Sequence, residues 1–194
     1  MTKVTALAVY CGSATGTDPV HAACARRLGA LMAERAIRLV YGGGRIGLMG
    51  VLADAVLKGG GGVTGVIPDF LMRPELAHDG IDEMIVVDSM HARKQRMFEL
   101  ADAFAVLPGG LGTLDEAIEM ITWKQLRLHD KPIVLVDNAG YWAPLRALIE
   151  AAVAAGFAGP ETRALFVVAD SVECLPDILA AHPEAATEPR QTRL

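Results

Sequence analysis

The 194-residue sequence has no CxxC pair, no apolar run of membrane-spanning length and no surplus of basic residues. Its three cysteines, at positions 11, 24 and 174, are an odd count without metal-ligand spacing, which excludes a disulfide framework and a zinc site; Cys24 reads as a core residue. The histidines at 21, 78, 129 and 182 are scattered and read as surface or helix-end residues. A GxSxG elbow, an HExxH pair and a Walker GxxxxGK[ST] loop are all missing, so serine hydrolase, zinc protease and P-loop NTPase chemistry lack their residues. With 18 basic against 23 acidic residues the net charge is −5, which argues against a nucleic-acid polymer as ligand and confines any bound phosphate to a local pocket. The N-terminal apolar run is too short for a signal peptide, and the expected compartment is the cytoplasm, with no membrane partner.

Hydrophobic residues make up 52% of the chain, aromatics only 5%, and glycine numbers 20, a mix that suits buried parallel strands joined by tight turns. The length fits one domain, expected over 1–182, with a frayed tail over 183–194. Val4 to Tyr10 reads as a first buried strand, and Asp18 followed by Pro19 as the start of a helix. Arg38 to Tyr41 reads as a second strand running into GGGRIGLMG, and Leu48, Val51, Leu52 and Val56 then repeat at helical spacing. Further strands are expected at Val63 to Ile67, Ile81 to Val87, Ala103 to Leu107, Pro132 to Val136 and Leu165 to Val168. The helices between and after them start near Ser89, Leu114 and Tyr141, and a last one runs through Ala181. The stretch PDFLMRPELAHDG is a long irregular loop, because its prolines forbid regular structure.

Strands alternating with helices predict an α/β protein with a Rossmann-like doubly wound parallel sheet in a single domain. Ligands of such sheets bind at the carboxyl ends of the strands, where the topology switches direction. The loop at Cys11 and both glycine-rich loops leave strands at that edge, and they are expected to converge on one site.

Gly42, Gly44 and Gly47 satisfy GxGxxG after the second strand, and Gly43 and Gly44 are candidates for holding an anionic phosphate. Asp69 falls near where a ribose-binding acid would, so an NAD(P)-dependent oxidoreductase is one alternative. Pro108 to Thr113 makes a second such turn, where Gly109, Gly110 and Gly112 allow close backbone approach and Thr113 offers a hydroxyl. The run TLDE also fits a capping box, with Thr113 as cap and Glu116 folding back onto it, so on spacing alone capping and catalysis stand level for Glu116. His91, Arg93, Lys94 and Arg96 crowd the first turns of a helix, where the macrodipole disfavours cations, so a compensating anion is expected: a bound phosphate or an ion pair across the site, with nearby acids such as Asp88 as the purely structural alternative.

The early strand with CGS, YGGGRIGLMG, GVIPDFL, SMHARK, PGGLGTLDE, ITWKQL and HDKPIVL together resemble the Lonely Guy family of cytokinin-activating phosphoribohydrolases, often mislabelled lysine decarboxylases. The resemblance spans nearly the whole chain and implies a homodimer that hydrolyses N6-modified adenosine monophosphates, and commonly AMP, without metal or redox cofactor. It implies that Arg93 and Glu116 are the catalytic pair. It further implies that Lys94 and the run from Gly110 through Leu111, Gly112 and Thr113 to Glu116 bind the ligand, with Glu75 and Thr122 as less certain ligand residues. Asp115 stands where many members have Glu, and Leu111 replaces a frequent Tyr, a change placed to affect base preference. A non-catalytic nucleotide or cofactor carrier of the same fold is the remaining alternative.

Overall fold

The computed structural model describes residues 4–181; the expected tail over 183–194, and His182, lie outside the described residues. Among the described residues there are seven strands: β1 Ala6–Tyr10, β2 Arg38–Tyr41, β3 Val63–Pro68, β4 Glu83–Val87, β5 Ala103–Val106, β6 Ile133–Val136 and β7 Val167–Ala169. Six helices alternate with them: α1 Pro19–Glu34, α2 Gly47–Lys58, α3 Met90–Leu100, α4 Leu111–Gln125, α5 Ala143–Ala154 and α6 Leu175–Ala181. Every strand pair is parallel and the order is β4-β3-β2-β1-β5-β6-β7, so the chain winds outward from β1 in one direction and from β5 in the other. This is the doubly wound sheet expected from the alternation of patterns. None of the described helices is long and apolar enough to cross a membrane.

Alternation along β1 divides the core. Leu7 and Val9 face a cluster built with Leu28 of α1, Leu52 of α2 and Leu179 of α6, while Ala8 and Tyr10 face Met97 of α3, Met120 of α4 and Leu145 of α5. Two helix starts follow local chemistry: Asp18 accepts from the Val20 amide ahead of Pro19, and Ser89 accepts from the Ala92 amide. Cys24 is core, as expected. His129 is not a surface residue. It is 8% exposed, packed against Phe98 and Phe104, with Nε2 at 3.0 Å from the Met120 carbonyl and Nδ1 accepting from the Lys131 amide. Burial pushes its pKa down to about 4, so the ring stays neutral near pH 7.

The stretch after β3 holds a short 3-10 turn at Asp69–Leu71 and then returns over the loop after β2. His78 N donates to Gly43 O at 2.9 Å, Arg45 N donates to Leu76 O at 2.8 Å, and Gly44 forms an antiparallel bridge with Ala77. The Gly43 carbonyl and the Arg45 amide are therefore engaged by this loop, which runs alongside Gly44.

Gly47 has φ +63°, and a Cβ there would sit 2.2 Å from the Ser13 carbonyl carbon, so the start of α2 presses directly on the loop after β1. Gly60 also has a positive φ, of +75°, but a Cβ there meets open space. Gly47→Ala is predicted to lower the unfolding free energy by about 2 kcal/mol or more. Gly60→Ala should cost only the left-handed strain, about 1 kcal/mol. Urea unfolding of the two variants checks the contrast; equal losses would show that the contact with Ser13 yields easily.

Candidate active site at the switch point of the sheet

Because the chain leaves β1 toward one edge and β5 toward the other, the loops that follow these adjacent strands part and open a crevice between them. A cavity of about 240 Å³ occupies it, floored by Tyr10 and Cys11 at the end of β1 and walled by Gly42 from the loop after β2 and by the first turns of α3 and α4. The convergence of three loops expected from the sequence is present.

The start of α4 differs from the capping-box expectation. The helix begins at Leu111, three residues before the predicted start, with Gly110 as its cap and no side-chain hydrogen bond to it. Thr113 therefore lies inside the first turn and Glu116 inside the second, where neither can form the box. An uncapped start leaves first-turn amides without side-chain acceptors, and Gly110, Leu111, Gly112 and Thr113 all line the cavity, an arrangement suited to an anion. Gly109 does not line it. A Cβ at Gly109 would meet Thr113 Oγ1 at 2.2 Å, and its carbonyl accepts from the Tyr141 hydroxyl, so its place is to let the turn close.

Glu116 is 7% exposed and reaches the cavity beside Arg93 of α3. Arg93 Nη2 stands 4.0 Å from Glu116 Oε1 and donates to the Gly42 carbonyl at 3.3 Å. Its Nε is buried without a partner. The guanidinium fills the space beside Gly42, where a Cβ would lie 1.8 Å from Nη2, and the Met49 side chain fills that beside Gly44. The glycines of GxGxxG thus admit side chains and a returning loop. Gly43 and Gly44 do not line the cavity, whereas Gly42 does. Asp69 does not line it either; its Oδ1 accepts from the Phe70 amide at 2.6 Å.

Burial pushes the Glu116 pKa up to about 7; Arg93 and, less strongly, Lys94 oppose this, while Asp115 and Glu119 add to it. At 4.0 Å the Arg93 guanidinium opposes this rise without offsetting the lost hydration. Glu116 titrates near neutrality. Burial likewise pushes the Cys11 thiol far above its ordinary range, so it is no thiolate nucleophile.

Lys94 lies beneath the cavity wall and not on it. Its Nζ is 3.1 Å from Asp115 Oδ2 and 3.0 Å from Glu119 Oε2. The anions expected beside the basic start of α3 are thus acids of α4, not Asp88, with Arg96 paired to Glu99 within its own helix. Glu75 is exposed on the returning loop, and Thr122 is exposed on α4 with its hydroxyl donating to the Ile118 carbonyl at 2.7 Å; neither lines the cavity. Tyr10, Ser13 and Met49 line it without having been singled out from the sequence. The usable signal for the first two was their place at the end of the switch-point strand.

The fold and this crevice define a Rossmann-like α/β protein with an anion-receptive helix start and a buried carboxyl–guanidinium pair at the switch point. The family model described as "possible lysine decarboxylase" matches residues 49–179. The chain is 47% identical over 166 residues to a cytokinin riboside 5′-monophosphate phosphoribohydrolase of Rhodococcoides fascians, covering 85% of this chain and 84% of that protein. It is 43% identical over 190 residues to one of Arabidopsis thaliana, covering 96% and 89%. The chain belongs to the Lonely Guy family. A molybdenum cofactor binding protein of Rippkaea orientalis superposes with a TM-score of 0.69 at 20% identity, covering 93% of this chain and 98% of that one, which shows the shared fold alone.

The Glu116 pKa of about 7 lies above the ordinary 4.5, so the folded protein retains a proton that the unfolded chain releases between these values. Stability from this group is therefore lost as pH rises through that window, up to about 3 kcal/mol once the folded carboxyl has ionised. Glu116→Gln is predicted to match the parent's unfolding free energy near pH 4 and to exceed it above about pH 8. Denaturant unfolding at both pH values checks this; a variant no more stable than the parent at the higher pH would refute the raised pKa.

Proposed function

We propose that the chain hydrolyses the N-glycosidic bond of an adenine-type nucleoside 5′-monophosphate, an N6-modified cytokinin riboside monophosphate or AMP, to free base and ribose 5-phosphate. The observation that carries this reading is the buried pair of Glu116 and Arg93 beside the glycine-capped start of α4. The relatives at 43–47% identity carry names for this activity, which supports it. In the reaction the bond from the ribose anomeric carbon to the base nitrogen breaks, a water oxygen bonds to that carbon, and a water proton goes to the base.

The first turn of α4 holds the 5′-phosphate, so that remote binding energy positions the ribose. Glu116, as carboxylate, stabilises the positive charge that develops on the sugar and orients or deprotonates the water. Arg93, held by the Gly42 carbonyl, faces Glu116 through Nη2 and contacts the ligand from the cavity wall. The proposed assembly is a homodimer, placed in the cytoplasm on the sequence reading. Ile118 is 40% and Leu126 64% exposed on and just beyond α4, whereas Ile121 packs in the core.

Incubation with AMP, isopentenyladenosine monophosphate, adenosine and NAD, followed by chromatography, tests the assignment. Base is expected from the two monophosphates and little from adenosine or NAD. Binding of AMP without base release would instead favour a carrier, and comparable turnover of adenosine would remove the role of the phosphate. Glu116→Gln should lower the rate roughly 100-fold or more with AMP binding largely kept; a folded variant at near the parent rate refutes catalysis by Glu116. Light scattering is expected to give a dimeric mass, reduced to the monomer by Ile118→Glu.

A further inference from the structure

We infer that Lys94 is a positioning residue: it clamps Asp115 and Glu119, the acids flanking Glu116 on α4, and so sets the pH at which Glu116 becomes the active carboxylate. The inference rests on the reading that Glu116 acts ionised. Asp115 and Glu119 are four residues apart and share one stripe of the helix, directly beside Glu116. The Lys94 ammonium bridges both, at 3.1 and 3.0 Å, from a side chain only 8% exposed. It is absent from the cavity lining, although its neighbour Arg93 is in it. One turn of α3 therefore sends two cations to three acids of α4, with Arg93 facing the cavity and Lys94 behind it.

The groups facing Glu116 are few. From α3 come Arg93 and Lys94; from its own helix, Asp115 and Glu119; from β1, Tyr10 and Cys11, both held neutral by burial. Burial works against the charge on Lys94 too, but its close pairing with Glu119 and Asp115 outweighs this and raises its pKa, so it stays cationic throughout the working range. Removing it would leave Arg93 alone against three carboxyls. The negative charge released would favour the protonated form of Glu116 and delay its ionisation.

The test is the pH profile of kcat/KM for AMP hydrolysis by the full chain, with Glu116→Gln as control. Lys94→Met should move the acid limb up by about half to one pH unit, lowering kcat/KM roughly 5- to 10-fold below the limb. Well above the limb the rate should return to within about twofold, with KM unchanged. Lys94→Arg should keep the parent profile, and Lys94→Met/Glu119→Gln should bring the limb at least partly back. Should Lys94→Met fail to fold, Glu119→Gln alone decides, because it must shift the limb the other way, to lower pH. A KM raised about tenfold in Lys94→Met and unrepaired by Glu119→Gln would make Lys94 a substrate ligand and overturn the clamp. An unshifted limb in these variants, with Glu116→Gln inactive, would overturn the clamp alone. An active Glu116→Gln would overturn the catalytic reading and the clamp with it.

Discussion

The Gly12 amide donates to the Pro108 carbonyl at 3.0 Å, and its carbonyl accepts from the Leu48 amide at 3.0 Å. The loop after β1 is thereby fastened both to the loop entering α4 and to the first turn of α2. Gly47 presses on Ser13 from one side, and Gly109 closes against Gly12 from the other. At positions 47 and 109 a side chain would be blocked by this packing, and at Gly12 it would fit only tightly, so the junction requires glycine at the first two. The cavity's width, the aim of α4 and the reach of Arg93 all depend on this seam at the switch point.

Once the loops are fixed, the chemistry of the crevice is set by a competition between lost hydration and charge pairing. At Glu116 burial wins, because the guanidinium is 4.0 Å away and partly engaged with the Gly42 carbonyl. At Lys94 pairing wins, because two carboxylates lie within hydrogen-bonding distance. Adjacent positions on one helix thus end in opposite regimes, a carboxyl partner near neutrality for Arg93 and a permanent cation at Lys94. A carboxyl that costs stability when ionised is a common mark of a residue kept for chemistry.

The same sheet serves proteins of different purpose, since a molybdenum cofactor binding protein shares it at 20% identity. Function is therefore argued from the site. The GxGxxG loop shows why: its pattern suggests a dinucleotide, yet Arg93, Met49 and the returning loop take up the space that the glycines leave.

Much of the architecture was legible in the residues. Asp18 with Pro19 and Ser89 marked their helix starts, and Arg38 to Tyr41 its strand, because caps and short apolar runs act through near neighbours. The alternation of such segments dictated a parallel sheet, and hence the edge where loops meet. The resemblance carried by SMHARK and PGGLGTLDE brought Arg93 and Glu116 to attention together. Tertiary structure decided the rest. Gly110 starts α4 without any side-chain signal, so TLDE imitated a capping box three residues too late. His129 is enclosed by two aromatic rings from other elements. Lys94 turns from the cavity because Asp115 and Glu119 of another helix hold it, and Glu75 and Thr122 stand outside the cavity. Local chemistry writes where elements begin, but which side chains share a desolvated space, and so what charge each carries, is a property of distant segments brought into contact.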